Sequence, residues 1–288
     1  MKIIIRSFLV ILLSFLSITV SAKSFLWEIK DKDNSLFLLG SVHLLKESDY
    51  PLDKAIFKAF DRSNIIVFEA DLAELTSPKV QQEMLKNALL PQGQTLRSLL
   101  HPDLYKTTAE KMHRNGMMIE VVNGFKPWMV AITLQMAEFK RLGFKAEYGV
   151  DQFLYRRAKM KGKKIIGLET PEFQISLFSK LSIIQQQQFL AQTVLELDSS
   201  EKIMHNLLAS WKSGDSKKFY NYNIDSFKQF PELMDKILIQ RNKNWMERIL
   251  KIMEGNQDAM VVVGALHLPG EEGVLDLLSK EGYKAIQH

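Results

Sequence analysis

The sequence predicts an α/β fold in which a central β-sheet, with a strand-GxxH unit at each end of the chain, frames a large helical insertion. Three observations predict it. Short apolar runs rich in β-branched and aromatic residues sit near both ends and in the middle of the chain, and long segments with helical periodicity fill the intervals between them. In addition, four of the apolar runs stop at a histidine or an acid. Strands alternating with helices imply a layered sheet rather than a bundle.

In chain order, Lys2 and Arg6 precede an apolar stretch from Phe8 to Val20 and a small-residue exit at Val20-Ser21-Ala22. This is the pattern of a signal peptide over 1–22. The stretch is short against the roughly 20 residues that a spanning helix needs, so no stable membrane span is expected after processing. A periplasmic or secreted protein follows. Strands are predicted at Phe25 to Ile29, Leu36 to Leu39, Ile65 to Phe68, Lys164 to Leu168, Met260 to Val263 and Tyr283 to Ile286. Helices are predicted at Pro51 to Asp61, Pro78 to Leu90, Pro102 to Asn115, Pro127 to Leu142, Val150 to Lys161 and Leu181 to Leu195. Four more are predicted at Ser200 to Lys212, Ser216 to Ser226, Pro231 to Met253 and Gly273 to Lys280. Several open on proline, whose missing donor costs nothing in a first turn. No Gly/Ser/Pro spacer divides residues 23–288, which are read as a single α/β domain with helical insertions.

Composition narrows the chemistry. With 46% apolar residues among 288, the chain can bury a sizeable core, and with no cysteine it has neither disulfides nor thiol catalysis nor thiolate metal sites. A formal charge of +5, two units of it from Lys2 and Arg6, is too mild for nucleic-acid binding.

The four terminated runs are "LFLLGSVH" at His43, "IIVFEAD" at Glu69 and Asp71, "KKIIGLE" at Glu169, and "MVVVGALH" at His267. Ligands gather beyond the carboxyl ends of strands in open α/β sheets, so His43, Glu69, Glu169 and His267 are expected in one crevice. A glycine three residues before each histidine permits close approach of a ligand or a neighbouring backbone. Two imidazoles with one or two carboxylates suit Zn, Mn, Fe or Co rather than Ca. Such a metal acidifies bound water while a glutamate moves the proton, which makes hydrolysis the natural reaction. Ser41 lies two residues from His43, but Ala265 stands at the matching place in the second copy. No GxSxG elbow, HExxH, Walker loop or GxGxxG turn occurs.

The stretches "FLWEI", "FLLGSVHLL" with "YPL", "IIVFEADL" and "YGVDQFL" through "KKIIGLETPEFQ" carry a resemblance, as do "IQRNKNW" and "VVVGALHLPGEEGVLDLLSKEGYKAI". Together they resemble the TraB/GumN family, related to the Tiki proteases of animals and more distantly to erythromycin esterase (EreA) and ChaN-like proteins. The resemblance implies an EreA/ChaN-like α/β fold, two GxxH motifs and a pair of glutamates at the site. In the Tiki branch it implies metal-dependent cleavage of a peptide or protein substrate. Carried across, it points to His43, His267, Glu69 and Glu169, and it adds Arg241, whose fixed charge would stabilise an oxyanion.

Asp71 and Asp151 are secondary candidates, with Asp151 expected to cap a helix. Glu172 reads as an acid in a helix's first turn, His101, His113 and His205 as structural or solvated, and His288 as mobile. The aromatic residues Trp128, Phe173, Trp211 and Trp245 are candidates for pocket walls or core. The expected function is an exported metal-dependent hydrolase acting on peptides. The alternatives are a haem- or peptide-binding protein that turns nothing over, and a metal-independent esterase-like hydrolase in which a histidine is the base and a glutamate orients it.

Overall fold

Six strands form one sheet in the order β4-β3-β5-β2-β1-β6. They are β1 (Leu26–Lys30), β2 (Ser35–Ser41), β3 (Ile65–Phe68), β4 (Lys164–Gly167), β5 (Ala259–Gly264) and β6 (Ala285–Gln287). The computed structural model describes residues 23–227 and 230–288, so the signal-peptide expectation for 1–22 lies outside the described residues. The α/β class and all six strand positions agree with the sequence expectation.

β2, β5, β3 and β4 run parallel, while β1 is antiparallel to both β2 and β6. β2 and the central β5 are buried along nearly their whole length, which accounts for their continuous apolar runs. The topology explains why two distant motifs become neighbours. β5 comes from the far end of the chain yet inserts between β2 and β3, pairing Ser41 with Gly264 and Phe68 with Val262. Their carboxyl ends therefore share one edge of the sheet, at the point where the strand order reverses.

The helices in order are α1 (Lys54–Arg62), α2 (Leu72–Leu75), α3 (Pro78–Ala88), α4 (Leu96–Leu99), α5 (Pro102–Arg114), α6 (Pro127–Arg141) and α7 (Val150–Met160). After β4 come α8 (Pro171–Ser179), α9 (Ile183–Glu196), α10 (Ser200–Lys212), α11 (Ser216–Phe227), α12 (Pro231–Met234), α13 (Gln240–Met253) and α14 (Val274–Lys280). Caps fix several starts: Asp53 accepts from Ala55 N, Ser77 from Val80 N and Thr170 from Phe173 N. A main apolar core surrounds the sheet, and a second joins α4, α5, α6 and α9 through Leu96, Met112, Val130, Leu134, Leu190 and Val194.

Two departures concern helices. α8 has no full counterpart among the predicted segments, although Pro171 and Glu172 read as a helix start; its sequence "PEFQISLFS" lacks a polar face because Ile175 packs inward while Leu177 and Phe178 line a cavity. The single helix expected over Pro231 to Met253 is interrupted by a π-helical stretch, Asp235–Ile239, directly before Arg241. His288, expected to be mobile, extends the edge strand: its N–H donates to Leu26 O at 3.0 Å and its Nε2 lies 3.1 Å from Glu28.

Candidate functional site

Each candidate sits just past a strand. His43 follows β2 by two residues, Glu69 directly follows β3, and Glu169 follows β4 by two, with its backbone N–H donating to Glu69 O at 2.8 Å. After β5 the chain turns at Gly264 into a 3-10 turn, Ala265–His267, which swings His267 into the same crevice. Gly264 shows how close they come. A Cβ built there would lie 3.3 Å from Glu69 Oε1, 3.5 Å from His267 Cδ2 and 3.6 Å from His43 Nε2. Glycine thus keeps open the small space that the three side chains enclose. Gly40 has a different reason, since a Cβ there would meet Phe25 at 2.4 Å and Ala265 Cα at 3.0 Å.

Arg241 lies at the centre. Its Nη2 donates to both Glu69 and Glu169, and its Nε lies 3.1 Å from each Glu169 oxygen. Nη1 donates to Ile237 O and to His267 Nε2, both at 3.1 Å. Trp245 Nε1 (2.9 Å) and Gln174 Nε2 (2.9 Å) also donate to Glu169, so that carboxylate anchors the arginine. Glu69 keeps Oε1 turned toward the shared space, where it accepts from Gly264 N–H at 2.7 Å.

Second partners fix both imidazoles. Asp151 Oδ2 accepts from His43 Nδ1 at 2.8 Å, leaving Nε2 facing the cavity. Asn242 Nδ2 donates to Glu272 O at 2.8 Å, which turns its Oδ1 toward His267 Nδ1 at 2.6 Å. Since Nε2 accepts from Arg241, His267 carries its proton on Nδ1. Asp151 therefore orients a histidine rather than capping α7, whose N-cap, Gly149, makes no side-chain cap bond. Asp71 does cap, accepting from Ala73 N at 2.9 Å, and Glu172 pairs with Lys79 at 3.3 Å.

These contacts set the charges. The Asp151 carboxylate, against the opposing effect of burial, raises the His43 pKa to about 9. Burial lowers that of His267 to about 3, with Arg241 adding to the effect against Glu69. Burial would raise Glu69, but Arg241, the two histidines and the Gly264 N–H outweigh it and bring it to about 2. With His43 protonated and His267 neutral, Glu69, Glu169 and Asp151 face one guanidinium and one imidazolium, and one negative charge remains uncompensated.

The donor set fits a divalent transition metal in kind: two imidazoles, each with its far nitrogen held, and one carboxylate, in a site that is net negative. Among the described residues, no group of three or more His, Cys, Asp or Glu is already disposed around one ion. His267 Nε2 has one lone pair, now turned to Arg241, and would have to leave the guanidinium to serve an ion.

A cavity of about 480 Å³ opens on the site, bounded by Ser41, His43, Glu69, Asp151 and Arg241 together with Leu72, Leu75, Leu177 and Phe178. Ser41 Oγ and Asp151 Oδ1 are buried without a hydrogen-bond partner, so Ser41 is not paired with His43 as a nucleophile would be with its base. Of the aromatic candidates, Trp128 and Trp211 are core, Trp245 anchors Glu169, and Phe173 is partly exposed. Gln174, Asn242 and Phe178 have no local signal in the sequence, because only tertiary approach gives them their roles, and the secondary candidate Asp151 gains its part through His43.

Histidines and acids thus gather at the carboxyl edge of the parallel strands of an α/β sheet. The chain belongs to the TraB/PrgY/gumN family, whose family model matches residues 25–287. It is 25% identical over 241 residues to the uncharacterized protein YbaP of Escherichia coli, covering 84% of this chain and 86% of that one. It is 24% identical over 319 residues to metalloprotease TIKI2 of Danio rerio, covering 92% of this chain and 61% of the relative. Against metalloprotease TIKI1 of Homo sapiens it is 24% identical over 323 residues, covering 92% and 62%. The chain thus spans about six-tenths of the TIKI proteins. No solved structure matches it. Among the described residues no helix is long and apolar enough to cross a membrane.

Proposed function

We propose that this chain, after removal of residues 1–22, is an exported metal-dependent peptidase. The observation that carries the reading is the meeting of His43 Nε2, His267 and Glu69 Oε1 around the space left by Gly264. His43, His267 and Glu69 would hold a divalent metal such as Zn, Mn, Co or Fe, and when bound it would supply a Lewis acid that acidifies water. Asp151 and Asn242 hold the imidazoles in the tautomers this needs. Arg241, itself anchored by Glu169, places a fixed positive charge where negative charge develops on a carbonyl oxygen. Metalloprotease relatives covering nine-tenths of the chain support the reaction class and a peptide or protein substrate.

A second reading, metal-independent hydrolysis with His43 as base, draws support from the His43–Asp151 bond and from the arginine on His267. The pKa of His43 separates the two. Without a metal, His43 holds its proton up to about pH 9, so a His43 base predicts activity that survives chelation and climbs with pH through that value. The metal reading predicts that chelation removes hydrolysis of a peptide mixture at pH 7 and that one of the four metals restores it. It also predicts that His43→Ala and His267→Ala each lose both bound metal and activity, measured by elemental analysis and peptide cleavage. Full activity in either variant overturns it. No cleavage together with a Soret band on the purified protein would return the haem-binding alternative.

A further inference from the structure

The reacting centre does not lie at the bottom of one cleft. A second cavity of about 310 Å³ also borders it, and the two share Ser41, His43, Glu69, Leu177, Phe178 and Arg241 as a common wall. Away from that wall they diverge. The larger runs toward α2 and α7, past Leu72, Leu75 and Ala146; the smaller runs toward α11 and the π-helical stretch, past Phe219, Ile237 and Leu266. Both ends are lined mainly by apolar side chains, and each volume falls in the range of roughly 300–1,000 Å³ typical of ligand pockets.

We infer that the enzyme selects peptides with a bulky apolar side chain on each side of the scissile bond, one seated in each lobe. The inference rests on the peptidase reading and adds the substrate class to it. Two apolar lobes meeting at one polar centre match a chain whose successive residues project to opposite sides of an extended backbone. Ser41, 3% exposed and with its hydroxyl unpartnered, lies in the shared wall, and Asp151, with one oxygen unpartnered, lines the larger lobe beside it. A buried polar atom without a partner marks a place for a bond, and a bound peptide backbone offers both N–H and C=O groups. A charged side chain reaching past Leu72 and Leu75, or past Phe219, Ile237 and Leu266, would lose its water against apolar walls, and the charges of the shared wall and Asp151 are already paired with one another, so acidic and basic residues are disfavoured on both sides.

The test uses a library of synthetic peptides with one position randomised on each side of the cleaved bond, digested by the full protein and read by mass spectrometry. Leu, Ile, Met or Phe on both sides should be preferred over Asp or Lys by at least about 10-fold. Leu75→Asp should relax the preference on one side only, and Ile237→Asp on the other; L75Q and I237Q replace them where the aspartate variants fail to fold. Cleavage as efficient with charged residues on either side, or two variants that alter the same side, overturns the inference and leaves the peptidase reading standing. Failure to cut any peptide at any metal supply removes the reading and this inference with it.

Discussion

Arg241 answers two buried carboxylates at once, and its bonds to Glu69, Glu169 and His267 are among the few in the site that involve a permanent charge. Arg241→Ala would leave both acids uncompensated, an arrangement that typically costs about 3–5 kcal/mol. We expect urea denaturation to show a loss of that order together with loss of hydrolysis, and Arg241→Lys to recover part of the stability but not the bridging geometry. A variant as stable as the wild type would remove the arginine from its central role. Asp151→Asn tests the other side of the site. Without the carboxylate, the His43 pKa should fall from about 9 toward its ordinary 6.5, read by NMR titration of the metal-free protein. An unchanged value would mean that the pair does not persist in solution. At this scale the sequence was informative where chemistry coincides with a strand end: His43, Glu69, Glu169 and His267 each follow an apolar run. Arg241 came only through family resemblance, because it sits in a helix after a π-helical stretch that no local pattern announces. Asn242 came from neither route, and Asp151 was only a secondary candidate with a capping role expected, since a short polar residue near a helix start looks the same whether it caps the helix or orients a histidine.

Among the elements, β2, β3 and β5 were legible because burial on both faces writes an unbroken apolar run. α8 was not, because one of its sides packs and another lines the cavity, leaving no polar stripe to mark its period. The helical insertion is also held by a buried charge. Glu138 in α6 is 1% exposed, accepting from Arg141 at 2.6 Å, from Arg114 of α5 at 3.0 Å and from Ser200 at the start of α10 at 3.3 Å. Burial would raise its pKa, but Arg141, Asn115 and Arg114 prevail and lower it to about 2 from 4.5. A lowered carboxylate stabilises the fold fully above the unfolded value and loses that contribution as pH falls through the folded one. The window is therefore pH 4.5 to 2, and the contribution on the order of 3 kcal/mol. Glu138→Gln should be less stable at pH 7 and should flatten the acid limb of a stability-against-pH curve measured by urea unfolding. An unaltered acid limb would show that this network does not tie the insertion together.

At the scale of the whole molecule, the site exists because the two ends of the chain interleave: β2 lies beside β5, and β1 is clamped between β2 and β6. The paired GxxH motifs made this juxtaposition readable in outline, whereas the order β4-β3-β5-β2-β1-β6 was not readable, because strand order depends on crossovers that leave no local trace. The interleaving separates what holds the sheet's outer edge from what forms the candidate site. β6 and His288 lie at the far edge from β4, bonding Leu26 O, Ser24 and Glu28, and contribute no group to the candidate site. Removing residues 285–288 should therefore strip the outer edge from β1 and lower stability without moving His43 or His267. Each kcal/mol lost would lower Tm by about 2–4 °C in a domain of this size. The expected result is a fall of several degrees by circular dichroism, with kcat/KM on the best peptide kept within about two-fold at temperatures where both proteins are folded. A loss of ten-fold or more in kcat/KM with Tm unchanged would contradict this division, because it would mean that the terminal strand acts on the site directly and not through the sheet that presents it.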